Sequence, residues 1–126
     1  MSRIREIKEI AIIVRPQNGG MANFNIKADG TTSGGHMSGG DPPFVHIDKG
    51  EVDETVRKEI FEVAGDLVDS GILEDNEQQV DNAVVMVIYF DNETSAFTHW
   101  PFGSEPEDPM VLKLSKLMHE HRIGGW

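Results

Sequence analysis

The residues best suited to chemistry in this chain are its five histidines, His36, His46, His99, His119 and His121. Imidazole serves acid–base work and metal binding near neutral pH. His119 and His121 stand two residues apart in a segment that reads as helix. Their rings therefore point about 200° apart and cannot grip one ion. The HExxH zinc arrangement is absent, because His119-Glu120-His121 lacks the four-residue step that sets two rings on one helix face. Both are expected to be ordinary surface residues. His36 lies in a Gly- and Ser-rich stretch and could reach a metal within a complex, but a solvated loop histidine is the simpler reading.

Other chemistries fare no better. Gly34 and Gly39 have the spacing of a phosphate-binding GxxxxGK(S/T) loop, but Gly40-Asp41 stands where Lys and Ser or Thr should follow. Asp41 would repel a phosphate. The acidic runs Glu74-Asp75-Asn76-Glu77 and Asp91-Asn92-Glu93 lack the alternating register and distal Glu of a calcium loop. The chain has no cysteine, which excludes disulfides, a thiolate zinc site and a Cys nucleophile, and suits a reducing compartment. Gly124-Gly125-Trp126 is similar to the end of a ubiquitin-like precursor, yet a helix precedes it where such folds have a strand. Gly124 reads more simply as a helix cap. No nucleophile, base and stabiliser can be seen to converge. The expectation is a non-enzymatic chain with no catalytic residues, no metal and no cofactor.

The elements that would carry these residues are clearer. A first strand is expected from about Glu6 to Val14, apolar on both faces and so interior. In the second, Ala22, Phe24, Ile26 and Ala28 alternate with Asn23, Asn25 and Lys27, giving one packed and one wet face. Asn18-Gly19-Gly20 joins the two as a hairpin, and Asp29-Gly30 ends the second. Residues 31–43 read as a flexible Gly/Ser-rich loop, followed by a short extended piece, Phe44 to Ile47. A helix follows, capped by Asp48 with Glu51 three residues on, or by Asp53. Val52, Val56, Ile60, Val63, Ala64 and Leu67 form its apolar stripe, and Gly71 stops it. Residues 74–82 read as a polar loop, Ala83–Phe90 as a central strand and Ser95–Trp100 as its partner. Asp108 and Pro109 open a last helix with Met110, Val111, Leu114, Leu117 and Met118 on its apolar side. This is an α+β domain over residues 1–126: an antiparallel sheet of about four to five strands with two helices packed on one face.

Net charge is −11, with no basic patch, so direct nucleic-acid binding is not expected. A protein partner with a basic surface suits the charge better. The N-terminal residues show no signal-peptide pattern, and the longest apolar run, Ala83–Phe90, is too short to span a bilayer as a helix. A cytoplasmic protein is expected. Its oligomeric state stays open.

Val14-Arg15 followed by Asn18-Gly19-Gly20-Met21-Ala22 resembles the R-x-GG-F/M-A opening of the emfourin-like family. Emfourins are small cytoplasmic bacterial proteins that inhibit thermolysin-like, M4-type metalloproteases. The order of the later elements fits that family's layout. The chain departs from it by two residues between Arg15 and Asn18 and by the Gly/Ser stretch from Thr31 to Gly40. The resemblance implies inhibition by protein–protein contact, with an exposed loop entering a protease cleft. The exposed candidates are Asn18, Gly19, Gly20 and Met21 at the hairpin, and His36 and Met37 in the expected loop. Each has a plain structural reading as well, a turn or a mobile loop. A phage or defence-related antagonist mimicking nucleic-acid charge, an accessory subunit of a complex, and a small enzyme with an unrecognised cleft are the alternatives.

Overall fold

The computed structural model of the protein describes residues 6–16, 20–37, 45–75, 78 and 80–121. Among these the elements run β1 (Ile7–Arg15), β2 (Met21–Lys27), β3 (Thr31–Met37), β4 (Val45–Glu51), α1 (Glu54–Ser70), β5 (Glu74–Asp75), β6 (Ala83–Phe90), β7 (Ser95–Pro101) and α2 (Pro109–Glu120). The described strands make one seven-stranded sheet in the order β4-β3-β2-β1-β6-β7-β5, with every pairing antiparallel. The α+β class stands as read from the sequence, with more strands than the four or five expected.

The first additional strand is β3, which corrects the expected flexible loop over 31–43. Residues 31–37 pair with β2 on one side and β4 on the other. Residues 38–44 lie outside the described residues. The glycines supply space here. Gly34 stands opposite Phe24 and is itself buried. A Cβ built at Gly35 would collide with the carbonyl oxygen of His46 and come within 3.3 Å of Ile47. Glycine inside a strand marks such a close backbone approach as readily as it marks mobility. The second addition, β5, is two residues long and pairs with Ala96 and Phe97 at the far edge of the sheet.

The apolar alternation of β1, β2 and β6 sorts the core. Ile10, Ile12, Phe24, Ile26, Met86 and Ile88 face the two helices and pack with Ile60, Ala64 and Leu67 of α1 and Val111, Leu114 and Met118 of α2. The opposite sheet face carries a smaller cluster of Val85, Val87 and Phe97, with Ile13, Val80 and Tyr89 beside it. β1 and β6 are therefore apolar on both sides, and they are the central pair.

Helix starts follow local capping chemistry. Asp53 accepts a hydrogen bond from the Val56 N–H at 3.0 Å and caps α1, while Asp48 and Glu51 belong to β4. Gly71 ends α1 at φ 78°, a left-handed conformation that costs glycine little. Asp108 accepts from the N–H groups of Met110 at 2.9 Å and Val111 at 3.1 Å, with Pro109 in the first turn of α2. Helix α1 begins against the β2–β3 turn, where Arg57 Nη1 donates to the Ala28 carbonyl at 3.5 Å, and after its 17 residues the chain enters β5.

Candidate binding surface

Strands β2, β3 and β4 form a wing that reaches beyond the two-sided core. Their register sorts the candidate residues. Met21, Met37 and Val45 stand side by side across the three strands. By alternation they lie on the face away from the helices, because Ala22, Phe24 and Ile26 of β2 face the helices. One step along, Asn23, Gly35 and Ile47 form the next row. Val45 is 56% exposed and Ile47 65% exposed. The absent side chain of Gly35 leaves room beneath Ile47.

Met21 and Met37, sixteen positions apart in the chain, are thus brought together by strand pairing. His36, adjacent to Met37 in sequence, is carried to the opposite face. There it stands opposite Ala22 and His46, with the two imidazole centroids 5.5 Å apart. His46 Nε2 also lies 2.9 Å from Asp48 Oδ2, within hydrogen-bond reach. Gly20 precedes β2 and is half-buried. Asn18 and Gly19 fall outside the described residues, as does the Gly124-Gly125-Trp126 end.

A polar ladder separates the wing from the cluster on the same face of the body. Asn23 Nδ2 donates to Asn25 Oδ1 at 3.0 Å, and Asn25 Nδ2 donates to Glu9 Oε2 at 2.6 Å. The apolar wing patch is consequently a surface feature distinct from the core cluster around Phe97. Val45 and Ile47 escaped the sequence reading as surface candidates. Their only signal is an alternating V-x-I in a segment otherwise polar, which core strands share.

The register of the wing is set at its β2–β3 turn. Gly30 adopts φ 92°, and its N–H bonds back to the Lys27 carbonyl at 2.9 Å. Asp29 Oδ1 accepts from the Thr31 hydroxyl at 2.7 Å and the Thr31 N–H at 2.9 Å. These bonds, the hydroxyl first, hold the Asp29 carboxyl below its ordinary value of 3.8.

A second concavity lies between α2 and the sheet. It is a cleft of about 600 Å³ with Ile12, Val84 and Trp100 on its floor and Leu112, Lys116 and His119 on its helix wall. Glu105 and Glu120 stand at its rim. His119 was expected on the open surface; it is exposed and also borders this cleft. The cleft brings titratable groups near one another, but Lys116, His119, Glu105 and Glu120 are all exposed. It therefore lacks the desolvated setting in which proteins tune acids and bases. Neighbours this distant in sequence left no signal in the chain beyond Trp100 itself.

Among the described residues no group of three or more His, Asp or Glu is placed to hold a metal ion. No described helix is long and apolar enough to cross a membrane. No family model, no curated protein and no solved structure matches this chain, so the emfourin-like resemblance rests on the hairpin residues that carry it.

Proposed function

We propose that this chain is a protein-binding domain without catalytic function, and that it meets its partner with the wing face of β2, β3 and β4. The observation that supports this reading most is the row Met21–Met37–Val45 with Ile47 beside it. Val45 and Ile47 are exposed and Met21 and Met37 half-buried, and apolar groups clustered at a surface, unlike scattered ones, are a feature of interaction surfaces. Methionine adds an unbranched, polarizable side chain that adapts to a partner's contour. The rest of the chain is acidic, with a net charge of −11, which suits a partner whose rim is basic. A cytoplasmic location accompanies the reading, since a chain without cysteine is at home in a reducing compartment.

The resemblance supplies a partner class, a thermolysin-like metalloprotease held by surface contact. In that complex the Met21 end of β2 and the Met37 end of β3 would approach the protease together, because their register makes them one edge of the wing. The test is titration of a thermolysin-like protease with the folded chain at micromolar concentration, read as loss of peptide hydrolysis. Met37→Asp with Val45→Asp is expected to weaken inhibition at least about tenfold, equivalent to about 1.4 kcal/mol. No inhibition by a folded sample ends the protease reading. Inhibition unchanged by both substitutions moves the contact off this face.

A further inference from the structure

The two edges of the sheet are built differently. At one end β5 is two residues long, Glu74 and Asp75, both exposed and acidic. Shortness and charge are the usual protections against edge pairing. At the other end β4 is seven residues long, and none of them is buried. Its outward backbone groups face no strand among the described residues. Over its seven residues it carries Asp48, Lys49 and Glu51, a net charge of only −1 on a chain of net charge −11. Two such chains repel, and β4 is where they can approach with little added repulsion.

The side chains of β4 fit a second β4. A two-fold axis perpendicular to the sheet keeps both faces matched only when it passes through a residue. With the axis through Ile47, the two Ile47 side chains meet on the wing face. His46 then stands opposite Asp48 of the second copy, twice, on the other face. Val45 stands opposite the aliphatic stem of the second copy's Lys49. Since His46 already lies 2.9 Å from Asp48 within one strand, the dyad makes a checkerboard in which each carboxylate is flanked by imidazoles. Apolar and hydrogen-bonded cross-strand pairs of this kind stabilise antiparallel strands. An axis through Asp48 would set two carboxylates face to face, and one through Lys49 two ammonium groups. An axis through His46 pairs fewer described residues and leaves Asp48 without an imidazole opposite.

We infer that the β4 edge pairs with the β4 edge of a second copy of this chain, antiparallel and centred on Ile47, joining two sheets into one. This goes beyond the wing-face reading, since it uses the strand edge and the His46–Asp48 side of the sheet. It would also place Val45 and Ile47 of both copies together, enlarging the wing face.

The test is solution mass by sedimentation between about 1 and about 100 µM, a range suited to a contact of modest area. Wild type is expected to pass from the mass of one chain to that of two. His46→Asp sets like charges opposite each other and should weaken the pairing at least about tenfold. The exchange His46→Asp with Asp48→His restores the imidazole–carboxylate pairs and should restore the doubled mass. Hydrogen exchange of the Val45–Lys49 amides should slow as wild-type concentration rises. A wild type that stays at one chain's mass overturns the inference and leaves the edge to a strand of another protein. So does a doubled mass indifferent to His46→Asp, or a mass above two chains. Protease inhibition measured on the same variants separates this inference from the wing-face reading, because His46 and Asp48 lie on the opposite side from Met37 and Val45.

Discussion

β6 and β4 have eight and seven residues in the same sheet, yet they are held in opposite ways. In β6, AVVMVIYF, Met86 and Ile88 are sealed by the helices while Val85 and Val87 are sealed on the other face. A slip of one residue there would exchange two packed faces, so side chains fix the register. In β4, VHIDKGE, no residue is buried and no comparable penalty for slipping exists. Its place depends on the β3 backbone, on the room left by Gly35 and, through β3, on the Asp29–Gly30 turn. β6 is specified by packing and β4 by backbone geometry. Freed from packing, β4 can present its side chains outward.

The largest expected effect belongs to the body. Ile60→Asp places a carboxylate at a site of 0% exposure in the main cluster, and circular dichroism should show an unfolded chain at 25 °C. Next, Ile88→Ala on β6, at 0% exposure, should cost about 2–5 kcal/mol in denaturant unfolding, while Ile47→Ala on β4 should stay within about 0.5 kcal/mol. Equal losses at these two positions would break the contrast between the regions. Gly35→Val should cost about 1–3 kcal/mol through collision with β4. Amide chemical shifts should change in β3 and β4 and hold in β6; melting of β6 with the wing would show that the two are one cooperative unit. The smallest effect is at the turn. Asp29 has a lowered pKa, so its hydrogen bonds to Thr31 favour the folded state above the ordinary value of 3.8, and that contribution is lost as pH falls through the lowered value. In Thr31→Val the carboxyl should titrate closer to 3.8 in an NMR titration, because the hydroxyl bond that lowers it most is gone.

This division also explains what could be read from the chain. β1, β2 and β6 announce themselves by apolar alternation, and α2 by Asp108-Pro109, because those signals and the folded packing share one cause. The start of α1 was ambiguous because Asp48 and Asp53 both look like caps; pairing of β4 with β3 decides it, and that pairing is not local. β3 was hidden because Gly34 and Gly35 have the composition of a linker while serving a close strand approach. Met21 and Met37 were both singled out, but only the register shows that they are neighbours and that His36 is not on their face. The cleft at Trp100 and His119 joins elements from four parts of the chain, so no window of sequence contains it.

The two-residue edge at β5 carries a consequence for the size any assembly can reach. Strand pairing through an edge consumes that edge, and a sheet with one long margin left bare among the described residues can therefore add one neighbour and stop. Glu74 and Asp75 act as a terminus on the other side. A chain open at both margins would have no such end and would grow into fibres; the pairing inferred through β4 would close at two copies.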